Sequence, residues 1–172
     1  MRIIAGEKRG HGIQAPKGET TRPTSDRVRE AAFNLIGPVG GAKVLDLFAG
    51  SGAMGMEALS RGAASCVFVE HDRNACRTID ANLEKLKLRG RLVPHDAIRF
   101  LGAESGTYDL ILCDPPYDYP AFERLAAHFE RVLAPDGLIV YESQAAFEPE
   151  APGLQTRTSR RYGSARLTLW ER

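Results

Sequence analysis

The sequence predicts one α/β domain around a mostly parallel, seven-stranded sheet. From residue 43 onward, short β-branched or aliphatic runs alternate with stretches of helical spacing, which is typical of a parallel sheet covered by helices. The last thirty residues instead carry two strand-like segments around Tyr162-Gly163-Ser164, which indicates an antiparallel hairpin. A chain of 172 residues buries one core but is short for two domains. We therefore expect a single domain over residues 1–172, with a basic N-terminal extension (1–40) and a core (41–172).

Five predicted parallel strands follow one another through the core. Each is a short apolar run, and the fourth is apolar enough to be buried on both faces. The five are Lys43–Phe48, Cys66–Glu70, Arg91–Val93, Tyr108–Cys113 and Gly137–Glu142, and the hairpin adds Leu154–Arg160 and Ala165–Trp170.

Helices are predicted between these strands. Gly50-Ser51-Gly52 turns into a helix that ends near Gly62. Residues 74–88 form the next helix, because Ala75, Ile79, Leu83 and Leu86 share one face. A last helix carries Phe122, Leu125, Ala126, Phe129 and Leu133, and we expect Pro135-Asp136-Gly137 to stop it.

The extension does not follow this alternation. Residues 2–6 and 12–15 are predicted to pair across Glu7–His11, an excursion that contains Lys8 and Arg9. A helix then follows Thr21-Arg22-Pro23-Thr24, with Thr24 or Ser25 as its N-cap. Its apolar face is predicted to comprise Val28, Ala32, Leu35 and Ile36.

Charge is unevenly distributed along the chain. Residues 1–31 carry seven Lys or Arg against four Asp or Glu, and residues 154–172 carry five against one. Residues 32–153 carry eleven against seventeen. The basic ends would attract a phosphate-bearing partner, whereas the acidic middle must act by other chemistry.

The three cysteines are odd in number and form no C-x-x-C pair, so we expect reduced thiols and neither a disulfide framework nor a zinc site. The first ten residues are charged where a signal peptide is apolar, and no apolar run approaches the roughly 18 residues of a membrane span. We expect a cytoplasmic monomer with no membrane or metal partner.

Asp46 lies near the end of the first strand and precedes a glycine-rich turn, Gly50-Ser51-Gly52, that with Gly55 satisfies G-x-G-x-x-G. Glu70 ends the second strand twenty residues after Gly50, where a carboxylate accepts the ribose hydroxyls of a nucleotide-like cofactor. The pattern fits a dinucleotide as well as S-adenosylmethionine. These residues therefore indicate an adenosine-containing ligand and no more.

Asp114-Pro115-Pro116-Tyr117 separates these possibilities, because it follows the fourth strand at the cofactor edge of the sheet. The lone pair of an exocyclic base nitrogen must be localised before it attacks a sulfonium methyl. The Asp114 carboxylate and the Pro115 carbonyl are suitable acceptors for the amino hydrogens, and Tyr117 can stack on the base. This motif predicts methylation of an exocyclic amine.

His95-Asp96-Ala97 follows the third strand, which places Asp96 near the adenine amino group and Ala97 in its pocket. Asp96 is equally suited to cap the next helix. The four histidines form no metal-ligand spacing.

The chain resembles the RsmD-type 16S rRNA guanine-N2 methyltransferases over nearly its whole length. The resemblance rests on Arg2–Gly6, Thr21–Thr24 with Asp26–Glu30, Leu45–Gly55, Ser60–Ala63, Glu70, Asp114–Tyr117 and Tyr162-Gly163. It implies a Rossmann-like class I methyltransferase fold and transfer from S-adenosylmethionine to N2 of a 16S rRNA guanine, guanine 966, in the small ribosomal subunit or an assembly intermediate.

The resemblance also implies site residues. Asp114, Pro115, Pro116 and Tyr117 would hold the guanine. The methyl donor would lie on Asp46, Phe48, Ala49, Gly50, Ser51, Gly52, Glu70, His71, Asp96 and Ala97. RNA would contact Lys8, Arg9, Arg22, Thr24, Arg27 and Arg29, with Arg160 and Arg161 as further candidates, although the helix arginines can also pair with Asp26 or Glu30.

Three alternatives remain at this stage. An adenine-N6 methyltransferase of DNA or RNA shares the D-P-P-Y sequence, but a DNA enzyme normally needs a recognition domain to read base edges. A nicotinamide-dependent oxidoreductase shares the glycine turn and lacks a use for D-P-P-Y. A non-catalytic adenosine-binding module is the third.

Overall fold

Seven strands form one sheet in the part of the chain that the structure describes, residues 1–18 and 24–172 of a computed structural model, with backbone alone at residues 24 and 25. In chain order they are β1 Lys43–Leu47, β2 Ser65–Glu70, β3 Arg91–Pro94, β4 Tyr108–Cys113, β5 Leu133–Gln144, β6 Gln155–Tyr162 and β7 Ala165–Glu171. Their order across the sheet is β3-β2-β1-β4-β5-β7-β6.

The first five strands pair in parallel, and β7 pairs antiparallel with both β5 and β6. The predicted fold class and the C-terminal hairpin are confirmed. The chain runs outward from β1 to β3 on one side and continues from β4 on the other. The crevice between the carboxyl ends of β1 and β4 is therefore the switch point where ligands bind in open α/β sheets.

Helices cover both faces of the sheet. They are α1 Thr24–Ile36, α2 Ala53–Ser60, α3 Arg73–Leu86, α4 Ala97–Ala103, α5 Phe122–Ala126 and α6 Phe129–Val132. Side chains alternate along a strand, so Val44 packs on the face of α1 to α3 while Leu45 packs on the face of α4 to α6. The predicted apolar face of residues 74–88 is confirmed, because its four members are buried in α3.

The segment before α1 is built into this core. Arg2 and Gly12 form an isolated antiparallel bridge, and the side chains of Ile3 and Ile13 are buried in the same cluster as Val44. The predicted pairing of these two stretches is thus present as one bridge rather than as a regular hairpin. The extension contributes core residues as well as charge.

The predicted long helix around Phe129 is wrong. The structure divides it into α5 and α6, and Leu133 already belongs to β5. Pro135-Asp136-Gly137 therefore lies within β5, where the pairing with β4 shifts register between Tyr108 and Leu110. Proline cannot donate to a strand ladder, which accounts for the irregularity at this point.

Three other expectations can be placed. The helix after residue 23 begins at Thr24 and buries Val28, Ala32 and Phe33, with Leu35 and Ile36 partly buried. The side chains of Thr24 and Ser25 lie outside what the structure describes, so the N-cap stays a prediction. All three cysteines are free and buried, and no helix within the described ranges has the length and apolar character to cross a membrane.

Candidate active site

The glycine turn joins β1 to α2 in a conformation that few residues adopt. Phe48 has φ 57°, and Gly50 and Gly52 have φ 57° and 81°. A positive φ costs a bulky residue energy, and such strain concentrates at functional sites. The ring of Phe48 meets that of Tyr119 edge-on, with centroids 5.1 Å apart.

Gly55 lets α2 approach β2 closely. A Cβ at this position would lie 2.4 Å from Cε1 of Phe68 and 2.7 Å from Sγ of Cys66. The third glycine of the motif therefore serves helix packing.

Asp46 is hydrogen-bonded to the first turn of α2. Its side chain is buried, and its Oδ2 accepts a hydrogen bond of 2.9 Å from the backbone N–H of Gly55. Burial, more than the neighbouring charge of Glu70, raises the pKa of Asp46 to about 8, although the Gly55 hydrogen bond opposes that rise. Asp46 thus positions the turn.

Glu70 is tied to the turn from the other side. Its Oε1 accepts a hydrogen bond from the Gly50 N–H at 2.9 Å, and its Oε2 accepts one from the Asp72 N–H at 2.8 Å. His71 Nδ1 lies 3.3 Å from the same Oε2. The carboxylate is therefore fixed at the end of β2.

An open cleft borders Glu70, and we call it the Glu70 cleft. It brings together six residues predicted for the site. It is lined by Phe48, Val69, Glu70, His71, His95, Asp96, Ala97, Pro116 and Tyr119.

Asp96 has the capping role that the sequence left open. Its Oδ2 accepts a hydrogen bond of 3.0 Å from the Arg99 N–H at the start of α4. The residue also lines the Glu70 cleft, so its predicted contact with an adenine stays a prediction.

Tyr119 lines the same cleft and was not predicted, although it lies two residues beyond the D-P-P-Y sequence. Burial raises the pKa of Tyr119.

A second opening lies beside the ends of β4 and β5, and we call it the Asp114 pocket. It is a partly open depression between α1 and the ends of β4 and β5. Its lining comprises Val28, Ala32, Asp46, Met54, Leu112, Cys113, Asp114, Val140, Glu142 and Leu167. Sequence reasoning missed the α1 and β5 members, because nothing local marks a core residue that borders a cavity.

The D-P-P-Y segment passes between the two openings. Asp114 is exposed and lines the Asp114 pocket, whereas Pro116 lines the Glu70 cleft. Pro115 is buried, and a turn closed by a 3.0 Å hydrogen bond from the Tyr119 N–H to the Pro116 carbonyl holds the half-buried Tyr117. The segment is thus able to contact a ligand in each opening.

The prediction that Arg29 binds RNA is wrong. Arg29 is only 2% exposed, and its Nη2 donates to the Arg2 carbonyl and lies 3.1 Å from Asp26 Oδ1. Its Nε lies 3.4 Å from the buried Glu57. Its guanidinium holds the extension against α2 and is not presented to a phosphate.

The other basic candidates differ in access. Arg9 and Arg27 are exposed, while Lys8 has a side chain 17% exposed that lies 3.5 Å from Glu7. Arg160 and Arg161 are exposed on β6. Arg22 and the side chain of Thr24 lie outside the described residues.

Asn82 links the extension to the glycine turn. Its Nδ2 donates to the carbonyls of Gln14 and Ser51, at 2.9 and 3.0 Å, and its Oδ1 accepts from the Gln14 N–H at 3.0 Å. Nothing in the sequence marked this buried amide, because its partners lie 68 and 31 residues away.

Comparison with known proteins extends these findings. Residues 1–171 match the family model described as "Conserved hypothetical protein 95". The chain is 39% identical over 183 residues to the "Putative rRNA methyltransferase YlbH" of Bacillus subtilis, covering 100% of this chain and 99% of that protein. It is 40% identical over 148 residues to the "Ribosomal RNA small subunit methyltransferase D" of Escherichia coli K12, covering 84% and 75%.

A solved structure, the "Putative methyltransferase yhhF" of Escherichia coli, superposes with a TM-score of 0.89 at 36% identity. The superposition covers 100% of this chain and 97% of the yhhF chain. The sheet topology and the similarity to these proteins together define a Rossmann-like methyltransferase. Within that class, the chain belongs to the RsmD family of ribosomal RNA methyltransferases.

Proposed function

We propose that this protein transfers a methyl group from S-adenosylmethionine to the exocyclic N2 of a guanine in 16S rRNA, guanine 966. The observation that carries the proposal is the position of Asp114, an exposed carboxylate at the end of β4 on a segment that borders both openings. An acceptor base in one opening and a nucleoside donor in the other would meet at this segment.

The residues of the Glu70 cleft fit an adenosine. The Glu70 carboxylate is held where it can accept hydrogen bonds from ribose hydroxyls. Phe48 and Tyr119 supply an aromatic wall, and Asp96 and Ala97 line the same cleft. When bound, S-adenosylmethionine supplies an electrophilic methyl group on a positively charged sulfur.

Asp114 and Pro115 prepare the acceptor amine. The lone pair of guanine N2 is delocalised into the ring, so the amine is a poor nucleophile until its hydrogens are engaged. The Asp114 carboxylate and the Pro115 carbonyl accept those hydrogen bonds, and the two prolines present no competing N–H. Stacking of Tyr117 on the base would hold N2 in line for attack.

The transfer balances simply. The N2 lone pair forms the new N–C bond as the S–C bond breaks, and the positive charge passes to nitrogen. That nitrogen then loses a proton, and Asp114 is placed to accept it or to pass it to water.

The proposal of rRNA as substrate is supported by the relatives and by charge. Two relatives are named as rRNA methyltransferases. Arg9 and Arg27 are exposed in the basic extension, and α1 of this extension lines the Asp114 pocket through Val28 and Ala32. RNA bound there would have its backbone near the pocket that receives the base.

The test incubates the protein and labelled S-adenosylmethionine with unmodified small subunits, an assembly intermediate, free 16S rRNA or DNA. Mass spectrometry then identifies and locates the methylated nucleoside. N2-methylguanosine at position 966 supports the proposal, whereas N6-methyladenosine or labelled DNA overturns it. The same reactions with Asp114→Ala control for a contaminating methyltransferase.

A further inference from the structure

Glu142 is a second carboxylate beside Asp114. Strands β4 and β5 run parallel, and Cys113 of β4 is paired with Tyr141 of β5. Asp114 follows Cys113, and Glu142 follows Tyr141. Neighbouring strands lie about 4.8 Å apart. The two residues therefore stand side by side at the carboxyl edge of the sheet.

The two side chains also belong to the same face. Side chains alternate along a strand, and two residues earlier Leu112 and Val140 are buried in the same core cluster. Asp114 and Glu142 accordingly line the same pocket, the Asp114 pocket. Its other walls are largely apolar, and Val28, Ala32 and Leu167 are among them.

This pair of acceptors suits one nucleobase edge. In guanine, the ring nitrogen next to the exocyclic amine carries a hydrogen, so N1 and N2 present adjacent donors. In adenine and cytosine, the ring nitrogen next to the amine carries a lone pair. A carboxylate facing that lone pair is repelled, whereas one facing the N1–H of guanine accepts a hydrogen bond.

We propose that Glu142 selects guanine by accepting a hydrogen bond from N1–H while Asp114 accepts one from the N2 amine. This inference rests on the proposed function, and it adds the residue that distinguishes guanine from the other amino bases. Glu142 acts on substrate choice, whereas Asp114 acts on the reacting nitrogen.

The test replaces the target guanine of a ligated 16S rRNA by 2-aminopurine. This base keeps the N2 amine, but its N1 is an acceptor, and it lacks O6. We expect wild-type protein to prefer guanine by about 10²-fold or more in kcat/KM, because a site built for a hydrogen bond strongly rejects a base that lacks it.

Glu142→Gln should narrow that preference at least tenfold, because the glutamine amide can donate to N1 of 2-aminopurine. The loss of O6 is common to both proteins and cancels in the ratio of the two preferences. Glu150→Gln, an exposed acid beyond β5, is the matched control and should keep the wild-type preference. Glu142→Asp keeps the charge and should keep the preference at a lower rate.

Each outcome decides one point. If wild-type protein methylates no guanine in rRNA, the proposed function fails. If it methylates guanine, and Glu142→Gln slows both bases by the same factor, Glu142 is only structural and this inference is overturned. If the wild-type protein methylates guanine and 2-aminopurine equally well, the inference is overturned without any variant. The test therefore remains decisive even if Glu142→Gln does not fold.

Discussion

Glu57 and Arg29 form an ion pair inside the protein, with Oε1 of Glu57 3.4 Å from Nε of Arg29 and neither side chain more than 2% exposed. Glu57 also accepts hydrogen bonds from the N–H groups of Ile4 and Ala5, at 2.8 and 3.0 Å, and its Oε2 lies 2.9 Å from Nε of Arg61. One buried carboxylate thus joins the N-terminal segment, α1 and α2.

Glu57→Ala should lower the free energy of unfolding by about 3–5 kcal/mol, because it leaves the buried Arg29 without a charged partner on α2 and two N–H groups without an acceptor. Urea denaturation measures the change. Arg61→Ala is the control and should cost less, since its side chain is 20% exposed and Glu57 keeps Arg29 as a partner. Equal losses in the two variants would contradict a central role for Glu57.

Gly6 and Gly10 form a matched pair, with φ 83° and 84°. A Cβ on Gly6 would lie 1.9 Å from the Ser60 carbonyl oxygen, whereas a Cβ on Gly10 meets nothing within 4 Å. Gly10→Ala should therefore cost about 1 kcal/mol for the left-handed backbone alone. Gly6→Ala should lower the free energy of unfolding by clearly more than Gly10→Ala, and it should make residues 1–18 sensitive to limited proteolysis. Similar losses of stability in the two variants would contradict a close contact between Gly6 and Ser60.

Asp46 should make stability depend on pH. Its pKa is raised to about 8 in the folded protein, mainly by burial, from 3.8 in the unfolded chain. The folded state therefore holds this proton more tightly, and the contribution to stability is complete below about pH 4 and is lost as pH rises to about 8.

Asp46→Asn removes this titration while keeping an acceptor for the Gly55 N–H. The free energy of unfolding of the variant, relative to wild type, should rise between pH 4 and pH 8 and then level off. Urea melts across this range provide the difference curve. A difference that does not change with pH would show that Asp46 does not titrate as its burial requires.

Asp114→Ala should lower kcat for methyl transfer by about 10²- to 10³-fold, because it removes an acceptor that acts on the reacting amine. Calorimetric affinity for S-adenosylmethionine should change little, since the Glu70 cleft lacks Asp114. Asp118→Ala, an exposed acid four residues later, should retain activity. Near-normal turnover by Asp114→Ala would remove this residue from the mechanism.

Arg9→Glu and Arg27→Glu should each weaken RNA binding and reduce the slope of log K against log salt by about 1, as expected for the loss of one phosphate contact. Filter binding or fluorescence anisotropy across a salt series measures both quantities. Arg89→Glu, exposed between α3 and β3 and outside residues 1–40, is the control. If the salt-dependence slopes of Arg9→Glu and Arg27→Glu equal that of the wild-type protein, these two arginines do not contact RNA phosphates.

Local patterns were sufficient for most of the fold. The parallel strands and α3 have strong periodicity, so their predicted positions agree with the structure to within about two residues, except for β5. The start of β5 was missed because Phe129 and Leu133 keep helical spacing although the chain changes structure at Leu133. Sequence spacing alone does not show where tertiary packing ends a helix.

The site was predictable where it depends on strand ends. Residues that follow parallel strands meet at one edge, and the Glu70 cleft indeed gathers Glu70, Asp96 and Pro116. Arg29 was misjudged because its partner Glu57 is 28 residues away, and Glu142 was missed because its neighbour Asp114 lies on another strand. Both relationships exist only after folding.

The burial of Ile3 and Ile13 in one core with Val44 and Met56 has a consequence for how this protein can change over evolution. Residues 1–18 cannot be exchanged between relatives as a unit, because each exchange would also replace part of the packing beneath the glycine turn. Variation within this segment is therefore confined to outward-facing positions such as Arg9, while the inward-facing positions must be inherited together with α2 and α3.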